Sequence, residues 1–212
     1  ALNLTVQGRF GNGIMGSAFC MTYQTSLRKE KIRERNLISQ NEMDQVEKKT
    51  ASLFMDMFSE LKIKKVSIYI PVHNEVPTKR IIQLIIGSKT ECYLPVIDQD
   101  LNNKKMKFAE FNHETALVKN KFNISEPISR TFENVLQLEL VVMPLVAFDN
   151  EGFRLGMGKG YYDFTFGSSE INRKPLFWGL SYDFQKTDSC YPEEHDLKME
   201  AVICPSGVRK FT

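Results

Sequence analysis

Residues 148–164 read FDNEGFRLGMGKGYYDF and come three residues after an apolar run, LELVVMP. Gly152, Gly156, Gly158 and Gly160 fall within nine residues. Glycines at alternate positions let the backbone approach a ligand and present successive N–H groups to it. Arg154 precedes the last three, Lys159 stands between the last two, and Tyr161, Tyr162 and Asp163 begin an apparent helix. A glycine loop feeding a helix N-terminus can cradle a phosphate. A carboxylate beside it, Asp163, can hold magnesium against phosphate oxygens. The plainer alternative is a long turn between strand and helix, for the spacing is neither a Walker A loop nor G-x-G-x-x-G. The cationic, aromatic and acidic neighbours favour a site, because a turn requires no such set.

Alternating strands and helices must position this loop. LRKEKIRERN, with five basic and two acidic residues between Arg28 and Arg35, reads as a solvated helix face rather than a nucleic-acid patch. Val46, Thr50, Leu53, Phe54, Met57, Phe58 and Leu61 recur at spacings of three and four, the apolar stripe of a second helix. Ser39 and Glu42 make a capping box at its start. Val66 to Ile70 is a β-branched and aromatic run that Pro71 ends. Pro77 and Thr78 open a helix carrying Ile81, Ile82 and Ile85, with Gly87 as its C-cap. ECYLPVI is a strand stopped by Pro95, KMKFAEF alternates as a half-exposed strand, and LELVVMP is a buried strand stopped by Pro144. Residues 160–166 read as a helix and LFWGLSY as a further strand. This alternation predicts an α/β fold, a three-layer Rossmann-like arrangement with a mainly parallel sheet and helices on both faces. Ligands of such sheets bind beyond the carboxyl ends of the strands.

Composition narrows the function classes. The chain has 212 residues, 42% apolar and 25% charged, with a formal net charge of +2. Neither a polyanion-binding tail nor an acidic disordered chain fits those values, and no apolar run approaches the length of a membrane span. Three histidines, none in H-E-x-x-H, leave little for a histidine-built metal centre. Four cysteines without C-x-x-C spacing read as reduced thiols. Residues 1–21 carry glycines at 8, 11, 13 and 16 and are expected to be a poorly structured leader or vector-encoded remnant, with Met21 a natural start. Residues 22–212 are then expected to form a single catalytic domain.

MPLVAFDNEGFRLGMGKGYYD resembles the signature of the 5-formyltetrahydrofolate cyclo-ligase family, also called methenyltetrahydrofolate synthetases. SLRKEKIRER, IYIPVHNEVPT, YLPVI, FNISEP and EEHDLKMEAVICP resemble further family segments in the same order, over about residues 24 to 205. The resemblance implies an enzyme that uses ATP and Mg2+ to convert 5-formyltetrahydrofolate to 5,10-methenyltetrahydrofolate, releasing ADP and phosphate after phosphorylation of the formyl oxygen. It implies catalytic roles for Arg28, Lys159 and Tyr161. It also implies a nucleotide site of Gln24, Arg28, Arg154, Gly156, Gly158, Lys159, Gly160, Tyr161 and Tyr162. By the same analogy Ile70, Glu75, Phe122 and Tyr161 contact the reduced folate, and Asp163 and Asp196 hold the metal. Gln24 stands where the family usually has Lys, and Met157 where many members carry a basic residue. The implied partner is a small molecule, with no nucleic acid and no membrane, for a monomer in the cytoplasm or, alternatively, the mitochondrial matrix. Two rivals remain: a non-catalytic folate or nucleotide binder, and an enzyme of the sugar-phosphate isomerase or CoA-transferase type on the same architecture.

Overall fold

The computed structural model describes residues 14–98, 104–129, 131–167 and 175–211, with side chains from Cys20 onward. The first helix, α1, spans Ile14–Arg35 and runs through Gly16, where the glycine content argued against helix. One interior glycine costs only about 1 kcal/mol, and helix propagates readily from the strong formers downstream. The rest of the expected leader, residues 1–13, lies outside the described residues. Arg35 is 1% exposed, so the α1 face read as solvated turns inward at its last residue. Helix α2 (Gln40–Ser59) starts on the expected capping box, with Ser39 and Glu42 bonding reciprocally, and buries Thr50, Ala51, Phe54 and Phe58. Leu61 falls beyond its end and is exposed.

Strand β1 (Lys65–Ile68) leads to α3 (Lys79–Gly87), which buries Ile81, Ile82 and Ile85. Gly87 stays helical; Ser88 is the cap, and Lys89 takes the left-handed conformation expected of a terminating glycine, at φ 62°. Strand β2 (Glu91–Ile97) runs through Pro95 instead of stopping there. Its pairing with β1 has ended at Ser67↔Tyr93, while pairing with β3 (Met106–Glu110) continues through Pro95↔Phe108. The missing N–H of Pro95 faces the vacated β1 side, so no ladder bond is lost.

A hairpin, β4 (Leu117–Lys119) and β5 (Ser125–Pro127), precedes the buried β6 (Leu140–Met143). A tight ribbon of β7 (Ala147–Phe148) and β8 (Arg154–Leu155) then leads through the glycine loop to α4 (Tyr161–Phe166). Strands β9 (Leu176–Leu180), β10 (Ala201–Cys204) and β11 (Gly207–Lys210) complete the chain. The main sheet has the order β11-β10-β9-β6-β1-β2-β3. Its five central strands are parallel and its two edge strands, β3 and β11, antiparallel.

Helices α2 and α3 cover one face, packing Phe54, Ile81 and Ile85 onto Val66, Ile68, Val142, Trp178 and Ile203. Phe166 of α4, with loop residues Leu145, Phe148, Leu197 and Met199, covers Val141, Phe177 and Val202 on the other. The expected three layers are present, the second outer layer being built mainly of loops. Gly179 in β9 makes that loop layer fit. A Cβ there would sit 2.7 Å from Leu145 Cδ2 and 2.8 Å from Met199 Sδ. Gly179→Ala is therefore expected to destabilise the protein by about 1–3 kcal/mol through overpacking, read as a lower urea midpoint at unchanged slope. An unchanged midpoint would show that the loop layer yields freely.

Chain progression reverses between β1 and β6: the strands after β1 extend one way and those after β6 the other. The segments leaving these two strands must part, and the crevice between them is where such sheets bind ligands.

Candidate active site

A cavity of about 450 Å³ opens at that crevice. Gln24, Arg28, Ile70, Glu75, Phe122, Arg154, Gly156, Gly158, Lys159, Gly160, Tyr161, Tyr162, Asp163 and Asp196 all line it, so residues from five separate segments are brought together.

The glycine loop is held from below. Buried Asp149 accepts N–H bonds from Glu151 and Phe153 through Oδ1 and from Cys190 through Oδ2, each at 3.0 Å, which fixes the β7–β8 ribbon. Gly158 (φ 86°) and Gly160 (φ 71°) take conformations that side chains rarely adopt. The Arg28 guanidinium closes over the loop: Nε donates to the Gly156 carbonyl at 2.8 Å, and a Cβ at Gly158 would lie 3.5 Å from Arg28 Cζ. Burial lowers the Arg28 pKa from its ordinary value, yet guanidinium remains charged at any physiological pH. Lys159 is exposed on the cavity wall. Helix α4 has only six residues, so attraction for an anion rests on these two cations and the loop N–H groups more than on a macrodipole.

Arg154 supports the loop from within. It is 8% exposed; Nη2 donates to Asp163 Oδ1 at 3.2 Å, Nε to Met143 Sδ at 3.4 Å, and the guanidinium lies 5.5 Å from the Tyr162 ring centre. Asp163 Oδ1 also accepts the Leu197 N–H at 3.2 Å, and the Glu193 N–H donates to Asp196 Oδ2 at 2.8 Å. Burial, and then the Asp163 charge, push the Asp196 carboxyl above its ordinary value. Two carboxylates distant in sequence thus repel one another across the cavity wall, a cost a cation would relieve. Among the described residues no group of three or more His, Cys, Asp or Glu forms a metal cage. A carboxylate pair fits magnesium, which takes one or two protein carboxylates and completes its shell with phosphate oxygens and water.

The opposite end of the cavity follows β1. His73 (φ 49°) and Asn74 (φ 57°) are both left-handed, folding the loop so that the Val72 N–H donates to Glu75 Oε2 and the Glu75 N–H to the Val72 carbonyl, each at 3.0 Å. Tyr182 Oη donates to the Asn74 carbonyl at 3.0 Å and Tyr69 Oη to that of Val76 at 2.9 Å. Glu75 is buried, and burial raises its pKa. Ile70, Phe122 and Tyr161 are half-buried walls; burial also raises the Tyr161 pKa.

Several features were not legible in advance. Gln24 Nε2 donates to the Tyr191 carbonyl at 2.8 Å, and the Tyr23 and Tyr191 rings stack at 5.2 Å, tying α1 to the segment leading to Asp196. Glu126 is a buried carboxylate lining the cavity whose Oε1 accepts the Ile97 N–H at 2.8 Å and an Asn120 Nδ2–H at 2.7 Å. It docks the β4–β5 hairpin, and hence Phe122, onto the end of β2. Its position before Pro127 in FNISEP was the only signal, and an acid there looks like any surface charge. His195 is exposed beside Glu193 at 3.8 Å. All four cysteines are unbridged, and burial pushes the Cys92 thiol up to about 12.

Comparisons with known proteins converge. The model of the 5-formyltetrahydrofolate cyclo-ligase family matches residues 21–205. The chain is 30% identical over 162 residues to the 5-formyltetrahydrofolate cyclo-ligase of Haemophilus influenzae, covering 75% of this chain and 85% of that one. It is 31% identical over 147 residues to the Escherichia coli protein of the same name, covering 68% and 79%. Among solved structures, the 5,10-methenyltetrahydrofolate synthetase of Aquifex aeolicus superposes with a TM-score of 0.74 at 26% identity, covering 88% of this chain and 92% of that one.

Proposed function

The chain belongs to the 5-formyltetrahydrofolate cyclo-ligase family, and on that premise we propose that its cavity seats ATP at the glycine loop and a reduced folate against Glu75. The enzyme converts 5-formyltetrahydrofolate to 5,10-methenyltetrahydrofolate. The formyl oxygen attacks the γ-phosphorus; an O–P bond forms as the bond to ADP breaks, and the formyl carbon becomes electrophilic. The folate N10 then forms a bond to that carbon and gives up its proton to solvent, phosphate leaves with the former formyl oxygen, and the ring closes as the methenyl cation.

This chemistry asks the protein for placement and charge, not for a nucleophile. Arg28 and Lys159 are the cations that face the phosphates. Arg154 is a positioning residue, holding Asp163 and Tyr162. Asp163 and Asp196 would hold magnesium, which neutralises charge on the phosphoryl oxygens when bound. Ile70, Phe122 and Tyr161 exclude water from the folate ring, and Glu75 offers a carboxylate to its N–H donors. The observation that carries this reading is the convergence of the two cations, the carboxylate pair and Glu75 on one cavity. Among the described residues no helix is long and apolar enough to cross a membrane.

The direct test mixes the protein with 5-formyltetrahydrofolate and magnesium, with and without ATP, and follows the near-ultraviolet absorbance of the methenyl product. Product formed only with ATP is the expected result. Tight binding of both ligands without product would assign a non-catalytic binder; catalysis without ATP binding would overturn the phosphate cradle. A second result is expected at Gln24, whose side chain lines the cavity one helical turn before Arg28. Lysine can still donate to the Tyr191 carbonyl and adds a charge-assisted contact, of order 1.5 kcal/mol or more. Gln24→Lys should therefore lower the KM for ATP about tenfold. An unchanged KM would show that position 24 serves only to tie α1 to Tyr191.

A further inference from the structure

The β4–β5 hairpin carries one cavity wall, Phe122, at its tip, yet little apolar packing holds that tip. Every residue of β4 is exposed, Leu117 at 41% and Val118 at 50%. What fixes loop 120–124 is polar. Asn120 Oδ1 accepts the Phe122 N–H at 2.8 Å and the Ile124 N–H at 3.0 Å, while the Asn120 N–H donates to the Ile124 carbonyl at 2.9 Å. Asn123 closes the turn in the left-handed conformation, at φ 61°. The other end of the Asn120 amide leaves the loop. Its Nδ2 donates to Glu126 Oε1 at 2.7 Å, and the same oxygen accepts the N–H of Ile97, the last residue of β2, at 2.8 Å. Glu126 is 7% exposed. One oxygen of a buried carboxylate therefore joins the main sheet to the amide that holds Phe122. Lys121 Nζ also reaches the Asp98 carbonyl, but at 3.4 Å and from an exposed side chain. Ile97, Phe122, Ile124 and Glu126 all line the cavity.

We propose that Asn120 and Glu126 are positioning residues for the reduced folate: their relay, from the Ile97 N–H through Glu126 and Asn120 to Phe122, sets the reach of the Phe122 ring into the cavity. This rests on the reading of Phe122 as a wall of the folate end. A wall holds its ligand only as well as its own supports hold the wall. The relay supplies that support where apolar packing does not. Cutting either link leaves polar groups unpaired. Without Glu126 the Ile97 N–H and the Asn120 amide both lose their acceptor. Without Asn120 the Phe122 and Ile124 N–H groups lose theirs. Neither role requires a contact with the substrate. The relay asks Glu126 for an acceptor and not for a charge, so glutamine can replace it. It asks Asn120 for a donor and an acceptor together, which neither alanine nor an ionised aspartate supplies.

The test is titration calorimetry of the full chain with 5-formyltetrahydrofolate, and separately with magnesium and ATP, at about pH 8, where aspartate is ionised. The proteins compared are the parent, Asn120→Ala, Asn120→Asp, Glu126→Ala, Glu126→Gln and Phe122→Ala, with Asn120→Ala also placed in the Glu126→Ala and Phe122→Ala backgrounds. Asn120→Ala, Asn120→Asp and Glu126→Ala are each expected to weaken folate binding about tenfold and to leave the ATP dissociation constant unchanged. Glu126→Gln should bind folate close to the parent; a loss as large as that of Glu126→Ala would overturn the relay and put the Glu126 charge on the substrate instead. Asn120→Ala should add little in either background, because a chain cut once loses nothing more at its next link. A full second loss in either background would overturn the inference, as would parental affinity in Asn120→Ala beside a weakened Phe122→Ala. Phe122→Ala binding folate as the parent does would instead overturn the reading of Phe122, and the relay's role with it. Should Glu126→Ala fail to fold, the two Asn120 variants and Glu126→Gln carry the same decision, since Asn120 is only half-buried.

Discussion

Asp163→Asn should lower kcat by about a thousandfold and also destabilise the protein, a double effect that follows from where the carboxylate sits. One Asp163 oxygen is committed to the buried Arg154 guanidinium and the Leu197 N–H. The charge it carries is also half of the pair, with Asp196, that would hold magnesium. Losing one preorganised charge contact at a transferring group costs roughly 3–4 kcal/mol, or 10²–10³ in rate. Arg154, 6% exposed at its side chain, would in addition keep a buried cation without its counter-ion. Severing a buried pair outright costs about 3–5 kcal/mol. The Asn amide oxygen still accepts both hydrogen bonds, so a loss of about 1–2 kcal/mol is the realistic expectation. Raised magnesium should recover part of the rate and none of the stability. Near-parental turnover would remove Asp163 from the site, and unchanged stability would show that Arg154 does not need its charge.

Lys159→Ala should separate the two effects. Lys159 is exposed on the cavity wall between two left-handed glycines, and no packing depends on it. Surface substitutions of that kind change stability by about 0.5 kcal/mol or less. Its ammonium is nonetheless one of two cations proposed to face the phosphates. A fall in kcat/KM of about 10²–10³ is expected, carried by both ATP affinity and rate, with the melting temperature unmoved. A substitution that left both kinetic terms intact would leave Arg28 as the only working cation.

The class of fold was readable because each segment announced itself locally. The 3.6-residue stripe from Val46 to Phe58 with its Ser39–Glu42 box produced α2, and short β-branched runs produced β1 and β6. Where local readings went astray, a neighbour decided. Pro95 did not end β2, since β1 had already stopped pairing beside it. Gly87 did not cap α3, because Lys89 took the left-handed turn. Arg35 looked like one more charge on a solvated helix, and packing buried it.

The glycine loop, its cations and its acid were legible in the sequence as a candidate cradle beside the plainer reading of a long turn, and the left-handed conformations at Gly158 and Gly160 explain why glycine stands there. That Asp163 and Asp196, 33 positions apart, repel one another, that Arg28 closes onto Gly156, and that Glu75 opens onto the same cavity as the glycine loop, only the tertiary structure decided. Distances across a cavity depend on how strands order themselves in the sheet. That order is a property of the whole core, which no stretch of sequence carries by itself.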